Sequence, residues 1–244
     1  NYSPVMINDP DFDWGKSNGI KSQIPTVLSG GISGHPLVCP HVAGYKYSPP
    51  VLLPPNMEEL WIRWLEMTAL LPVLWTHEGD ELYLGTKQVF DQSPQTLAMF
   101  KKYSKLHVKF FPYIYTLVKE AKETGVPVVR SLYLHYPNEV NTINMDDEFL
   151  LGDRVLVAPV LDSGATSRPV YFPSGNWYDF CSGALTATGP TTLSIDAPLD
   201  HLPIFVKEGT IIPLYNQDHI ETLVKNVSGI NDFEYADSTM EFRF

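Results

Sequence analysis

Apolar and polar residues alternate in two different ways along the chain, and the pattern changes about halfway. In the first half, short apolar runs lie between segments with a longer apolar period. Residues 34–42 and 70–76 are short runs bounded by Gly, Pro or His, as expected of buried parallel strands. An apolar-periodic stretch covers residues 21–28, and helical spacing covers residues 60–68 and 94–124. This half therefore predicts an α/β fold.

Capping signals set the ends of two predicted helices. Asn56 can cap the first helix, and Glu59 three residues later completes the sequence of a capping box. Ser93 can cap the second helix, with Pro94 at its first position and Gly125 as a typical C-cap residue. Pro112 lies inside this second helix, and we expect it to kink or split the helix.

The second half of the chain has the pattern of an all-β domain. Short strands are predicted at regular intervals, separated by turns that contain Gly or Pro. The strands are residues 126–134, 149–160, 168–172, 191–195 and 204–212, and the turns are residues 152–153, 173–175 and 207–209. Regular spacing of this kind indicates a β-sandwich. With roughly two or three strands, the preceding α/β part is too short to close a barrel of eight strands by itself.

The composition limits the partners of the chain. Its 244 residues include 28 acidic and 17 basic side chains, which gives a formal net charge of −11. This charge argues against nucleic acid or an anionic membrane as a partner, because both bind clustered Lys and Arg. A neutral substrate such as a sugar is compatible with it. No apolar run reaches the roughly 18 residues of a membrane span.

Cysteines and glycosylation sequences indicate the environment of the protein. Cys39 and Cys181 lie far apart without metal-ligand spacing, and we expect two buried free thiols. Asn-x-Ser sequences occur at residues 1–3 and 226–228. Together they favour a protein that is secreted or lies in the lumen of the secretory pathway.

The first candidate for chemistry is an acidic loop near the start of the chain. Asp9, Asp11 and Asp13 lie close together, and Trp14 follows them directly. Glycoside hydrolysis needs a carboxyl group that stays protonated, and an apolar or aromatic wall raises the pKa of such a group. Asp9 beside Trp14 is a candidate for this role. The alternative is a solvated acidic loop in which Asp13 caps a helix.

The second candidate is formed by the ends of the two predicted strands. His41 ends the first strand and is followed by Ala43, Gly44 and Tyr45, and His77 ends the second strand. Ligands of parallel α/β folds bind at the carboxyl ends of the strands, so we expect a common polar site there. The alternative for each residue is a structural histidine. Two converging histidines are fewer than the three or four ligands of a metal site, so no metal is predicted.

Two further helical patterns favour structural roles. Aromatic residues at helical spacing are expected to pack in the core. These residues are Trp61, Trp64, Tyr103, Tyr113 and Tyr115. Four lysines form one basic face of the long helix, which we expect to be solvated. They are Lys101, Lys102, Lys105 and Lys109.

Several motifs, in order along the chain, resemble glycoside hydrolase family 31, a family of α-glycosidases. The resemblance extends from about residue 9 to about residue 215 and matches the carboxyl-terminal portion of such enzymes. The most specific motif, DDEFLLGDRVLVAPV, covers residues 146–160. Further motifs are YFPSGNWYDF at 171–180, PLDHLPIFVKEG at 198–209, FPYIY at 111–115 and RWLE at 63–66. The RWLE motif, with residues 14–15 and 24–26, favours the myogenesis-regulating-glycosidase branch of the family.

The resemblance implies α/β plus all-β architecture, with the end of a (β/α)8 barrel followed by an antiparallel β-sandwich. Residues 1–125 are expected to hold the last barrel strands and helices, residues 126–216 the proximal β-sandwich, and residues 217–244 the start of a distal β-domain or tail. The N-terminal part of the barrel is then a partner that the chain itself lacks. The family's nucleophile is an Asp on an earlier strand and has no match in this sequence. We therefore expect the chain alone to be inactive.

The resemblance also implies a general acid/base. In the family this residue is an Asp five positions before a Trp, a relation that Asp9 has to Trp14. Asp11 is the second choice, because the spacing from Asp9 to Pro25 is longer than in typical members.

Four residues are expected to bind substrate on the same resemblance. The family's D-I-G-G-F motif corresponds to residues 41–45, with His41 in place of the Asp and Tyr45 in place of the Phe. His77 corresponds to a sugar-binding His, and Trp75 stands where an Arg is common. The expected substrate-binding set is Trp14, His41, Tyr45 and His77.

The function that the resemblance implies for the complete protein is retaining, exo-acting hydrolysis of terminal α-linked glucose or galactose. The substrate is then an oligosaccharide or glycoside, and neither a metal nor an organic cofactor is implied. The departures at His41 and Trp75 motivate an alternative, a catalytically inactive, glycosidase-like protein that binds carbohydrate. A lectin-like β-domain acting alone is a third option, and it leaves the barrel-end motifs unexplained. The sugar, the linkage and the formation of a homo-oligomer stay open.

Overall fold

The computed structural model of the chain describes residues 4–7, 9–45, 56–77, 93–216 and 240–243. Its helices are α1 (Ile20–Ile32), α2 (Met57–Thr68), α3 (Pro94–Thr124) and the short α4 (Leu132–His135). Its strands are β1 (Val5–Met6), β2 (Val38–Cys39), β3 (Val129–Arg130), β4 (Phe149–Leu151), β5 (Val155–Val157), β6 (Ser167–Asp179), β7 (Leu185–Asp196), β8 (Ile204–Lys207), β9 (Ile212–Tyr215) and β10 (Met240–Arg243). Both glycosylation sequences and most of the predicted distal segment, residues 217–244, lie outside the described residues.

Parallel strand segments form the first half of the chain, as the apolar runs predict. Strand β1 pairs in parallel with β2, and Val42 just beyond β2 forms a parallel bridge with Thr76. The sequence pattern did not predict β1, because its two residues are too few to show a period. Three neighbouring segments therefore run in the same direction, and their carboxyl ends meet at one edge.

Helix α2 occupies the centre of the molecule. All its residues from Leu60 to Thr68 are buried, because the helix packs inside the core cluster that joins both halves of the chain. The predicted capping box at its start is wrong, since Asn56 is left-handed and its side chain caps no backbone N–H of the helix. Instead the Asn56 amide donates to Ser163 Oγ over 3.1 Å, and a Glu59 carboxylate oxygen accepts from the backbone N–H of Gly164 over 2.8 Å. Both side chains thus bind the loop before β6.

Helix α3 has the ends that the sequence predicts. Ser93 and Thr96 form a capping box, and Gly125 ends the helix with a φ of 79°. Pro112 does not split the helix, which runs unbroken for 31 residues. The missing N–H of Pro112 is offset by tertiary packing, because the next turns bury Tyr113, Ile114 and Leu117 in the core.

The second half forms an antiparallel sheet with the strand order β3-β4-β5-β8-β6-β7. Two details of the predicted pattern are wrong. The predicted strand over residues 126–134 ends at Arg130, because Ser131 caps the helical turn α4 by accepting from the backbone N–H of Tyr133. The predicted turn over residues 173–175 lies inside β6, where the pairing with β7 shifts register.

The sheet has two apolar faces, and each face packs in a different core. In β4 and β5, Phe149, Leu151, Val155 and Val157 face the core shared with the helices of the first half. The intervening residues face a second core together with Val170, Phe172, Trp177 and Phe205. Phe172 and Phe205 are not paired in register, yet their ring centroids lie 4.7 Å apart. The long β6–β7 hairpin therefore curls back over the sheet, which gives the predicted sandwich.

Arg63 of helix α2 connects the two halves. Its guanidinium is 1% exposed and donates to the carbonyl oxygens of Ala165, Ala197 and Pro198 over 2.8 to 3.2 Å. The same group donates to the Glu66 carboxylate over 2.9 Å. Burial raises the pKa of Glu66 to about 7, although Arg63 and the Tyr103 hydroxyl both favour its charged form. The β-domain loops are thereby bound to the barrel helix by one buried cation.

Replacing this cation should destabilise the protein strongly. Arg63→Met removes a buried donor from three carbonyl oxygens and leaves the Glu66 carboxylate with the Tyr103 hydroxyl but without its cation. We expect a loss of about 3–5 kcal/mol in the free energy of unfolding, measured by urea denaturation. The matched control is Arg154→Met, since Arg154 forms an exposed pair with Asp153 and should change stability by less than about 1 kcal/mol. Equal effects of the two substitutions would contradict the role of Arg63.

Candidate functional site

The candidate site lies where the three parallel segments end. Asp9 follows β1, His41 and Tyr45 follow β2, and His77 follows Thr76. Because parallel neighbours end at the same edge, these side chains gather at one end of the barrel portion. The structure thus brings together most of the residues that the sequence singles out.

A tight turn after β2 brings Tyr45 back towards the acidic loop. Ala43 has a φ of 65°, a left-handed conformation that costs a non-glycine residue about 1–2 kcal/mol. Gly44 then passes so close to Phe12 that a Cβ atom at position 44 would lie 2.2 Å from the Phe12 nitrogen. The backbone N–H of Tyr45 donates to the carbonyl of Pro10 over 2.7 Å. The strained turn therefore joins the two loops that carry Asp9 and Tyr45.

Four rings form a cluster at this edge. The His41 ring lies 5.1 Å from the Trp75 ring and 5.8 Å from the His77 ring, measured between centroids. The Tyr45 ring meets His77 edge-on at 4.8 Å. Trp75 was not predicted to be a site residue. Its signal in the sequence is its position two residues before His77, because side chains two apart along an extended segment share a face.

His41 is a buried imidazole with an unused polar atom. It is 2% exposed, and burial together with the nearby His77 lowers its pKa from 6.5, against opposing effects of the Val42 carbonyl and Asp9. Its Nδ1 lies 3.5 Å from the Val42 carbonyl oxygen. Among the residues that the structure describes, Nε2 has no hydrogen-bond partner. A neutral ring with a free nitrogen can accept or donate a hydrogen bond to a ligand hydroxyl, according to its tautomer.

The acidic loop holds its carboxylates in different ways. Asp9 is exposed, and the Asn18 amide donates to its backbone carbonyl over 3.3 Å. Asp11 is half-buried and pairs through its backbone N–H with the Asn18 carbonyl. Asp13 closes the loop, because its carboxylate accepts from the backbone N–H of Gly15 over 2.7 Å. Trp14 is half-buried against the core of the barrel portion.

The described residues hold neither a metal-binding cluster nor a helix that could span a membrane. No group of three or more His, Cys, Asp or Glu in that part of the chain is arranged to hold a metal ion. None of the helices described is both long and apolar enough to cross a membrane. Cys39 is buried and Cys181 is exposed, so the prediction of two buried thiols is right for Cys39 alone.

Family models match both halves of the chain. The model of the glycosyl hydrolase family 31 TIM-barrel domain matches residues 11–117, and the model of the family 31 C-terminal domain matches residues 125–212. The chain belongs to glycosyl hydrolase family 31. The barrel match begins two residues after Asp9, so the identity of the general acid/base stays a prediction.

Individual members of family 31 are similar to this chain over most of its length, as the following three show. Alpha-glucosidase 2 of Bacillus thermoamyloliquefaciens is 34% identical over 87% of this chain and 25% of its own length. A sulfoquinovosidase of Escherichia coli is 31% identical over 84% of this chain and 30% of its own length. A Flavobacterium johnsoniae GH31 dextranase complexed with isomaltotriose superimposes with a TM-score of 0.76 and 33% identity, over 88% of this chain and 27% of that one. The chain thus spans about a quarter to a third of the length of these three proteins.

Burial of His41 should make folding sensitive to acid. Because its folded-state pKa lies below 6.5, the unfolded chain takes up a proton at this site before the folded protein does. The free energy of unfolding should therefore fall as the pH drops from about 6.5 through the folded-state pKa. His41→Asn should remove part of this fall, and urea denaturation at about pH 5 and about pH 7.5 measures it.

His107 and His135, whose pKa values burial also lowers, remain in this variant and keep their share of the acid effect. His35→Asn, which removes an imidazole from an exposed position, controls for the substitution itself. If wild type and His41→Asn lost the same stability on acidification, His41 would have the same pKa in the folded and the unfolded state, which would contradict this prediction.

Proposed function

We propose that the complete protein is a retaining, exo-acting α-glycosidase that hydrolyses a terminal α-linked glucose or galactose. One observation carries the proposal. In a chain of family 31, Asp9, His41, Tyr45 and His77 follow the carboxyl ends of three neighbouring parallel segments. Barrel enzymes build their active sites at this end. The relatives include an α-glucosidase, a sulfoquinovosidase and a dextranase, which supports a glycosidase and leaves the sugar to experiment.

In the proposed reaction Asp9 is the general acid/base. A carboxylate from an earlier barrel strand attacks the anomeric carbon while Asp9 protonates the leaving glycosidic oxygen. Asp9 then removes a proton from the water that hydrolyses the glycosyl-enzyme intermediate. The two carboxyl groups have to lie roughly 5–5.5 Å apart for this mechanism. The exposed position of Asp9 at the strand end leaves it open to a substrate that enters from this edge.

The ring cluster supplies the proposed sugar-binding surface. His77 is exposed and Tyr45 is half-buried, so a ligand can reach the polar atoms of both rings. His41 is also proposed to bind the substrate, because its Nε2 has no hydrogen-bond partner among the described residues, although this atom is buried in them. Trp14 packs half-buried beside the loop that carries Asp9 and is proposed to form part of the pocket wall.

A second candidate function is carbohydrate binding without turnover. The observation that favours it is the cluster of His41 with Trp75, since these residues stand where the family pattern has an Asp and an Arg. The family pattern has a carboxylate and a guanidinium at these two positions, whereas this chain has an imidazole and an indole ring. Saturable glycan binding by the complete protein, with no hydrolysis of any α-glucoside or α-galactoside, would favour this second function over the first.

Two finer proposals rest on the sequence. The assignment to the myogenesis-regulating-glycosidase branch rests on residues 63–66, 14–15 and 24–26. A location in the secretory pathway or outside the cell rests on the Asn-x-Ser sequences at residues 1–3 and 226–228. Occupied glycosylation sites would appear as a loss of mass on enzymatic removal of N-glycans, and unglycosylated protein from a secreting host would argue against this location.

Replacement of the general acid/base tests the enzymatic proposal. In the complete protein, Asp9→Asn should lower kcat by about 10²–10⁴-fold, because protonation of the leaving group is lost. For substrates with a good leaving group, such as nitrophenyl glycosides, the rate of the glycosylation step should fall less than for alkyl glycosides, because a good leaving group needs less protonation. Asp11→Asn is the matched control and should keep kcat within about tenfold. A larger loss in Asp11→Asn than in Asp9→Asn would transfer the role to Asp11.

The chain on its own should be inactive. No residue of the sequence matches the family's nucleophile motif, so residues 1–244 alone lack one of the two carboxylates that the mechanism needs. We expect no release of aryl alcohol from aryl α-glycosides by this polypeptide, with the complete protein as the positive control. Turnover by residues 1–244 that is lost in Asp9→Asn would show that the nucleophile lies within them.

A further inference from the structure

A cleft away from the ring cluster carries an unexplained concentration of positive charge. It has a volume of about 320 Å³ and lies between helix α3, the end of β6, the loop before β8 and strand β10. Its lining includes Lys102, Lys105, Lys109 and Arg243, whereas Asp200 is the one acidic residue that lines it in the described part of the chain. This excess stands out in a chain with a net charge of −11.

A solvated basic helix face does not account for this cleft. Lys101 and Lys102 are exposed, as such a face predicts, but Lys109 on the same helix has only 6% of its side chain exposed. Arg243 reaches the cleft from β10, more than a hundred residues away along the chain, so helical spacing does not place it there. The cations therefore converge through tertiary structure.

The charge of Lys109 is only partly balanced by the protein. Its Nζ lies 3.5 Å from a Glu241 carboxylate oxygen, at the far end of ion-pair distance. The same carboxylate accepts from Arg243 Nε over 2.7 Å. One anion thus serves two cations, and a buried ammonium is costly unless it is well paired. A second anion, bound in the cleft, would neutralise the remaining positive charge of Lys109 and Arg243.

Arg243 keeps donors for such an anion. Its Nε binds Glu241 and its Nη1 donates to the carbonyl of Phe180 over 3.0 Å. Within the described residues Nη2 makes no hydrogen bond, and the guanidinium of Arg243 lies over the Phe180 ring, 4.8 Å from its centroid. Lys102 binds the backbone carbonyl of Asp200 at the rim of the cleft and lies over the Tyr103 ring.

The walls of the cleft also include apolar side chains. Tyr103, Leu106, Phe180, Leu202 and Ile204 line the cleft beside the cations. A ligand that fits both features has a multiply charged oxyanion at one end and a compact organic body. A phosphate or sulfate group has enough oxygens to accept from Lys109, Lys102 and Arg243 together. The volume lies at the small end of the range for small-molecule sites, about 300–1,000 Å³.

We propose that this cleft binds a phosphate or sulfate monoester of about monosaccharide size, through Lys102, Lys109 and Arg243. The site is separate from the strand-end cluster, and the proposal does not depend on the enzymatic one. In this proposal the ligand contacts helix α3, the β-domain segments next to β6 and β8, and strand β10.

Isothermal titration calorimetry on the complete protein tests the proposal with glucose 6-phosphate, glucose 6-sulfate and glucose as probes. We expect saturable binding of at least one ester, with no comparable binding of glucose at this site. Lys109→Met and Arg243→Gln should each weaken ester binding by about tenfold or more, because each removes a charge-assisted hydrogen bond. Lys101→Gln is the matched control, since it removes an exposed lysine of the same helix that does not line the cleft, and it should bind as wild type does.

The two esters distinguish the oxyanion. The phosphate ester gains its second charge near about pH 6, so its affinity relative to the sulfate ester should rise between about pH 5 and about pH 7.5 if phosphate is the group recognised. An affinity for the sulfate ester that exceeds that of the phosphate ester at both pH values would assign the site to sulfate.

Two further variants keep the test decisive. If Lys109→Met does not fold, as judged by circular dichroism, Lys102→Gln and Arg243→Gln carry the comparison. Asp9→Asn should bind the ester as wild type does, because Asp9 does not line the cleft. Absence of ester binding, or ester binding that Arg243→Gln and Lys102→Gln leave unchanged, would overturn the proposal whatever the glycosidase activity of the protein.

Discussion

The buried guanidinium of Arg63 is the interaction on which the arrangement of the two halves depends. A charged group with 1% exposure needs partners for its donors, and backbone carbonyls of the β-domain loops accept from both Nη1 and Nη2, whereas Nε has no hydrogen-bond partner among the described residues. The position of those loops is therefore fixed relative to helix α2. The partner carboxylate of Glu66 is itself held by the Tyr103 hydroxyl of α3. Two helices and two loops thus share one buried polar network.

The same helix also supports the candidate site. The residue next to Arg63, Trp64, has its ring 6.3 Å from the ring of Phe12, which lies in the acidic loop after β1. Gly44 packs closely against the backbone of Phe12. The loop with Asp9 and Asp11 is therefore held between α2 and the turn after β2. A rigid support of this kind is what a catalytic carboxylate needs to keep its geometry.

The sequence predicts some of these features well and others poorly, for physical reasons. The strand at Val38–Cys39, the ends of α3 and the hairpin of β4 and β5 follow from local periodicity and capping residues, which act over a few positions. The capping box at Asn56 and the turn at residues 173–175 fail, because the side chains and backbone there bind distant parts of the chain. The gathering of His41 and His77 was predictable because parallel strands end at one edge. The burial of Lys109 was not predictable, since it arises from tertiary packing, and its partner Glu241 lies more than a hundred residues away.

Strands β4 and β5 place successive residues in two different cores, and this has a consequence for the ancestry of the fold. One face of these two strands packs in the core of the barrel portion, and the opposite face packs in the core of the sandwich. A recombination event that joined this C-terminal domain to a foreign barrel would have to match Phe149, Leu151, Val155 and Val157 to a new set of partners. The barrel end and the sandwich are therefore expected to descend together as one inherited unit, although family models divide them into two domains.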